Sequence, residues 1–401
     1  MIVPLFRART GDTRFFISNM PDDRMSKTIE RESLTSIEEV EVIVDADAHA
    51  QATWDDILTH LDNEHSRFEQ FFETSPAPGT EMNLYHSATP TYLYENMKGE
   101  EVEIESTGLY DGARLRETSE LIARIGIDAG VVNPTLILNL NFIREPEYAV
   151  AIMQGYNDWL VSELDDHDNM VGNIVVAAQD PHRSAAEIER LADEDDVGGV
   201  QLLGTALVPP AGHSSYDPIY EAAEANDLPI SMHTSGAGMK PFPEQSFWAE
   251  TFAEEHVTQH PFAHMVNATS LVLEGVPERF PDLTFVFQES GIGYVPYLLR
   301  RMDTAYHELR AEAPALSKLP SEYADDSFMW CTQPLGHTAD DPRHLAWFVE
   351  MIGPENVMFA ADAPHPDFDT PEELFDSVRS YFGAEAIRDM MGRNAMLVYD
   401  I

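Results

Sequence analysis

Cysteine, lysine and long apolar runs are almost missing from this chain, and each scarcity closes off a class of protein. A single cysteine, Cys331, excludes an internal disulfide and any cysteine-rich zinc module. No stretch approaches the roughly 18 consecutive apolar residues of a membrane span. The N-terminal MIVPLFRARTGDTRFF has early arginines but no apolar stretch long enough for a secretory signal, so a cytoplasmic protein is expected. Positive charge is scarce as well. The 401 residues hold 24 Lys and Arg against 71 Asp and Glu, a net charge of -47. Such a surface repels phosphate backbones and anionic lipid, which excludes nucleic acid and basic-patch membrane attachment as partners.

What is present argues for a folded protein. Hydrophobic residues make up 43% of the chain and aromatics 10%, enough for a large core where a disordered acidic chain would have few. Of the basic residues only Lys27, Lys98, Lys240 and Lys318 are lysine. High acid and scarce lysine resemble the proteins of salt-in halophiles, whose carboxylate surfaces are screened by molar salt; the Debye length there is roughly 3 Å. The excess is not spread over the whole chain. Residues 1 to 24 hold four Arg and three Asp and are net positive, so this segment reads as a disordered tail, or Met25 as the true start. The expected division is an N-terminal extension over 1–39 and one domain over 40–401.

From Val40 onward short apolar runs alternate with amphipathic helical patterns. Strands are expected at Val42 to Ala46, Gly130 to Asn133, Gly172 to Ala177, Gly199 to Leu203, Pro229 to His233, Leu283 to Gln288, Phe328 to Thr332 and Val357 to Ala361. A helix follows each, with Asp217-Pro218 and Thr370-Pro371 as cap-plus-proline starts. Eight such units predict an α/β fold of the (β/α)8 TIM barrel type, with an insertion after strand one over residues 50–112 that begins with a helix near Trp54. Loops at the C-terminal ends of barrel strands build the active-site face, so the strand ends are where chemistry is to be sought.

Strand one ends in Asp45-Ala46-Asp47-Ala48-His49, whose alternation puts Asp45, Asp47 and His49 on one face. An Asp and a His two apart can share a divalent ion, although a strand-end Asp also commonly caps a turn. Strand five closes on His233-Thr234, strand six on Glu289-Ser290-Gly291, and strand eight on Asp362-Ala363-Pro364-His365. Possible ligands recur at the rim. Trp330 and Gln333, on and after strand seven, are candidate substrate contacts, as is His365. His256, His260 and His264 recur every four residues around Pro261, which is expected to start a helix near Phe262 and leave the first two in the preceding loop. His213 and His337 fall in loops facing either substrate or solvent.

Taken together the Asp-x-Asp-x-His opening, His233-Thr234, Gly275-Val276-Pro277-Glu278-Arg279-Phe280-Pro281, the run Glu289 to Tyr297, Asp362-Ala363-Pro364-His365 and the closing Gly392-Arg393-Asn394-Ala395 resemble the amidohydrolase-related metal-dependent hydrolases. The best-known branch is of the aminocarboxymuconate semialdehyde decarboxylase type. The resemblance implies one zinc or manganese ion held by Asp47, His49, His233 and Asp362, with Asp47 where the family commonly has His. Asp362 and Glu289 are the implied catalytic groups. Glu289 stands where many relatives carry His-Gly-Gly, so it is read as a metal ligand, a general base, or a carboxylate orienting His233. Arg301-Met302-Asp303 resembles an internal ion pair of the family. No Lys lies in strand four, which leaves no carbamylated-lysine bridge.

The function expected first is metal-dependent hydrolysis of a small, carboxylated organic substrate through activated water. The alternatives are a non-oxidative decarboxylase of the same family, and a catalytically inert barrel that binds a metabolite or partner protein. A homodimer is implied by the resemblance alone.

Overall fold

A computed structural model describes residues 33–61, 114–138, 140–205, 207–234, 252–336, 343–365 and 368–401. Most of the extension over 1–39, most of the insertion over 50–112, and His337 lie outside the described residues. Residues 33–401 form one compact unit, whose packed core reaches back to Leu34 and Val40.

Eight parallel strands make a single sheet in chain order: β1 (Val44–Ala50), β2 (Ala129–Pro134), β3 (Met170–Val175), β4 (Val197–Gln201), β5 (Ile230–Met232), β6 (Phe285–Phe287), β7 (Phe328–Cys331) and β8 (Val357–Met358). Backbone bonds from Ala46 N to Phe359 O (3.1 Å) and His49 N to Ala363 O (2.8 Å) bring the eighth strand back to the first. The helices between them are α1 (Trp54–Thr59), α2 (Leu115–Arg124), α3 (Pro146–Leu164), α4 (Pro181–Leu191), α5 (Asp217–Ala225), α6 (Phe252–Leu273), α7 (Val276–Arg279), α8 (Val295–Glu308), α9 (Pro320–Ser327), α10 (Arg343–Ile352), α11 (Pro371–Val378), α12 (Ala384–Arg388) and α13 (Asn394–Tyr399). This is the expected (β/α)8 barrel. Among the described residues no helix is long and apolar enough to cross a membrane.

Two layers of core follow from strand alternation. A large cluster packs strands against helices, and a smaller one, including Val44, Ala46, Val131, Val286, Met329, Cys331, Met358 and Ala360 with Ala395 and Tyr399 of α13, fills the barrel. The closing segment is a lid on the N-terminal end of the barrel. A Cβ on Gly392 would meet Val42 O at 2.4 Å, and Asn394 Nδ2 donates to Pro354 O and Val357 O at 2.9 and 2.8 Å.

Three expectations about elements are corrected. β5, β6 and β8 end sooner than the expected His233, Gln288 and Ala361, at Met232, Phe287 and Met358. Glu289 and Asp362 adopt left-handed backbone (φ 52 and 63), which cannot continue a strand and which side chains of this kind rarely adopt without tertiary support. Secondly, Pro261 lies inside α6 rather than at a helix start. A proline there sacrifices a helical bond. Tertiary anchors hold the helix across it: His260 Nδ1 donates to Glu289 O (2.9 Å), His264 Nε2 to Gln288 O (2.6 Å) and Asn267 Nδ2 to Gly204 O (3.0 Å). Thirdly, Asp303 pairs with Arg300 (3.4 Å) rather than Arg301, and also accepts the backbone N–H of Ser321.

Candidate metal centre

β1 carries the first two site residues, and a bulge decides where they point. Val44 and Ala46 pack inside the barrel, while Ala48 and Ala50 pack in the outer core, with the register shift between Asp45 and Ala48. The bulge inverts the alternation, as an extra residue in a strand must. Asp47 and His49 therefore turn inward. Asp45, expected on their face, instead accepts backbone N–H bonds from Asp47 (2.9 Å) and Ala361 (2.7 Å) through Oδ1. Burial pushes its pKa up to about 7, those two donors offsetting only part of the cost.

Asp47, His49, His233 and Asp362 converge. One donor atom from each lies within 4.8 Å of the others, and all four residues are fully buried. His49 Nε2 is 3.1 Å from Asp362 Oδ1, 3.5 Å from Asp47 Oδ1 and 3.1 Å from His233 Nε2, and His233 Nε2 is 3.5 Å from Asp47 Oδ1. The tautomers follow from the opposite edges of the rings. His49 Nδ1 meets Pro134 O at 3.0 Å and His233 Nδ1 meets Thr234 O, and a carbonyl only accepts, so each Nδ1 donates. Both Nε2 atoms then present lone pairs to each other and to two carboxylates. Four electron-rich atoms converging without a donor require a cation, and two imidazoles with two carboxylates suit zinc or manganese. The residues fit a single divalent ion. The same demand shows in the basicity of the rings: although burial opposes it, bonding to Asp362 and Asp47 lifts the His49 pKa well above its ordinary value, while burial drives His233 down to about 3.

A buried polar chain supports the cluster from below. Asn133 Nδ2 donates to Asp47 Oδ1 (2.8 Å), Asn173 Nδ2 to Asn133 Oδ1 (2.8 Å) and to Ser231 Oγ (3.1 Å), and Ser231 Oγ meets Tyr399 OH at 2.8 Å. None of these residues figured among the sequence candidates. A signal existed, since asparagine is unfavourable in a buried strand unless something bonds it.

On the outer side, Gln333 Nε2 donates to Asp362 Oδ2 (3.1 Å) and His365 Nδ1 lies 2.6 Å from Asp362 Oδ1, its ring 4.2 Å from that of His49. Glu289 stands apart from the four-residue cluster but forms a second convergent group with Asp362 and His365. Its Oε2 is 3.5 Å from His233 Nδ1 and 3.4 Å from His260 Nδ1. Burial would raise its pKa, yet the neighbouring imidazoles of His260, His365 and His49 hold it below the ordinary value, so it stays a carboxylate.

Trp330, expected at the substrate, is placed elsewhere. It is 1% exposed and stacks on Phe287 (4.5 Å, 16°), with Tyr294 and Phe328 edge-on. Its neighbours Met329 and Cys331 occupy the barrel interior, so alternation sends Trp330 outward. His260 and His264 bond carbonyls of the loop after β6, and His213 caps a short 3-10 turn.

The sequence profile of the amidohydrolase family matches residues 44–401. No curated protein sequence matches the chain. Solved structures share the fold at low identity. The 5-carboxyvanillate decarboxylase of Sphingomonas paucimobilis is 21% identical with a TM-score of 0.66, over 90% of this chain and 99% of that one. A dihydroxybenzoic acid decarboxylase of Polaromonas sp. JS666, with bound manganese and the inhibitor 2-nitroresorcinol, is 16% identical with a TM-score of 0.61, over 90% and 97%. A putative amidohydrolase of Staphylococcus aureus is 17% identical with a TM-score of 0.61, over 90% and 99%.

Proposed function

The chain belongs to the amidohydrolase family, and on that premise we propose that it is a metal-dependent carboxy-lyase acting on a small carboxylated aromatic compound. The observation that carries this reading is the buried convergence of Asp47, His49, His233 and Asp362 at the C-terminal ends of β1, β5 and β8. The decarboxylase activities named for the similar structures favour carboxy-lyase chemistry over the hydrolysis first expected from the sequence.

Asp47, His49, His233 and Asp362 would hold a divalent cation, which would supply Lewis acidity for a substrate oxygen beside the scissile carboxylate. Asn133 and Gln333 orient Asp47 and Asp362. In the reaction the bond between ring carbon and carboxylate breaks, its electron pair stays on the carbon, and carbon dioxide leaves. A proton must then reach that carbon. The His365–Asp362 pair holds one at the edge of the cluster, where the His365 side chain is 24% exposed and the substrate can approach. Full burial of the four metal-site residues keeps water from competing for it.

Hydrolysis of an amide, ester or lactone is the second reading. Glu289 favours it, because a carboxylate held in its charged form beside the cluster is suited to take a proton from water.

The test is release of carbon dioxide from a panel of hydroxylated benzoates by manganese-loaded protein in molar potassium chloride. Asp362→Asn is expected to cut turnover by about 10²–10⁴-fold, the scale of a lost proton-transfer group. Hydrolysis of esters or lactones with no decarboxylation of any benzoate would move the assignment to the second reading.

A further inference from the structure

We propose that Gln333 is a specificity residue of the site, its side-chain oxygen accepting a hydrogen bond from a hydroxyl or amino group on the substrate. The inference deepens the carboxy-lyase reading, on which it rests for the place where the substrate binds. Three observations carry it.

The first is an unmatched acceptor. Gln333 is fully buried and its Nε2 donates to Asp362 Oδ2 at 3.1 Å, while its amide oxygen Oε1 has no hydrogen-bond partner among the described residues. The carboxylate fixes which end of the amide is which, because turning the group over would set oxygen against oxygen. A buried acceptor left unmatched is costly until a donor reaches it.

The second is position. Met329 and Cys331 face the barrel interior, and the pairing of β7 with β8 runs on through Thr332, whose N–H donates to Met358 O at 3.0 Å and whose Oγ1 accepts from Ala360 N at 3.2 Å. Alternation therefore carries Gln333 to the interior face one step beyond Cys331, at the C-terminal mouth. Gln201 and Gln288 also have an unmatched oxygen, but their nitrogens are tied to strand carbonyls, those of Ser231 and Ala46. The nitrogen of Gln333 is tied to a member of the cluster instead. The two ends of one amide are adjacent, so a group bound against Asp362 has the Gln333 oxygen beside it.

The third is the polarity of the surroundings. The partly open acid at the mouth is Glu289, its side chain 12% exposed, and among the described residues no Lys or Arg is buried. His365 Nδ1 is already engaged by Asp362. The donor that the Gln333 oxygen needs must therefore come from the ligand. A hydroxyl or an amine supplies one, whereas a methoxy group would turn a second lone pair towards that oxygen.

The experiment is calorimetric titration of manganese-loaded full-length protein in molar potassium chloride with 2-nitrophenols, whose nitro group has the shape of a carboxylate but cannot leave. Members of the series differ at one ring position, which carries hydroxyl, amino, methoxy or hydrogen. At one position the hydroxyl or amino form is expected to bind about 10–100-fold tighter than the methoxy and hydrogen forms, the scale of one buried acceptor gaining its donor. The hydroxyl and amino arms show which donor the site takes. Gln333→Met keeps the length of the side chain but replaces the amide by a thioether, and is expected to bring that ratio near unity. If Gln333 only orients Asp362, the variant weakens every ligand alike and the ratio persists, which overturns the proposal. So does an unmodified protein that binds all forms equally at every position. Preference in binding without release of carbon dioxide from the matching benzoates would leave Gln333 in this role and remove the carboxy-lyase assignment. Decarboxylation without preference would do the reverse, and absence of binding by the whole series overturns both.

Discussion

At the residue scale, Asp47 shows how much a metal ligand depends on its surroundings. Its Oδ1 faces His49 and His233, and the same atom accepts from Asn133, which is itself oriented by Asn173. Removing that donor should let the carboxylate swing. Asn133→Ala is accordingly expected to weaken manganese binding by about 10–100-fold, measured by competition with a fluorescent chelator, while circular dichroism reports an intact barrel. Unchanged affinity would mean that β1 alone holds Asp47. The residues the sequence brought forward and those it missed separate for a physical reason. Asp47, His49, His233 and Asp362 are polar residues closing apolar runs, a local pattern. Asn133 and Asn173 gain meaning only across the barrel, and Trp330 was placed at the mouth because its inward or outward parity was not read from Met329 and Cys331.

At the scale of elements, α6 is the clearest case of tertiary bonding overriding a local rule. Pro261 should begin a helix; instead His260, His264 and Asn267 dock one continuous helix onto the loops after β4 and β6. This docking is pH-sensitive. His264 is fully buried, and burial lowers its pKa to about 4 although its bond to the Gln288 carbonyl works in the opposite direction. The unfolded chain takes up a proton at about 6.5, where folded His264 does not, so the unfolded state binds more protons between the two values. Stability contributed by neutral His264 is therefore complete above about 6.5 and is lost as pH falls towards 4, on the order of 3 kcal/mol. His264→Gln keeps an N–H donor but cannot titrate. Urea unfolding at a series of pH values in high salt should show a shallower acid slope for this variant than for the parent chain, and equal slopes would show that His264 is not the group responsible.

For the whole molecule the governing quantity is the charge. With a net charge of -47, folding concentrates like charges that an unfolded chain spreads out. The surface ion pairs that exist, such as Arg393 with Glu41 and Glu385, are exposed and each contributes little. Screening is the remaining relief. The melting temperature should rise between about 0.1 M and about 2 M potassium chloride as the Debye length contracts from about 10 Å to a few ångströms. A flat or falling melting temperature would detach the acidic composition from any adaptation to salt. The barrel itself was legible because eight alternations of apolar run and amphipathic helix leave few other folds. Strand ends were less legible: in β8 apolar residues continue past the last paired residue through Phe359, Ala360 and Ala361.

The sequence alone determined the class of fold, the sign and scale of the surface charge, and the four residues available to hold a cation. The first two follow from composition and local order along the chain, and the four residues follow from the resemblance of their motifs to a metal-dependent family. The tertiary structure decided how those residues are used. A bulge in β1 turned Asp47 and His49 inward and Asp45 away, and left-handed backbone at Glu289 and Asp362 turned the chain beyond β6 and β8. Cross-barrel bonds recruited two asparagines, and the joint placement of Glu289, Asp362 and His365 created a second set of donors. Each depends on the register between strands far apart in sequence, which no local pattern encodes.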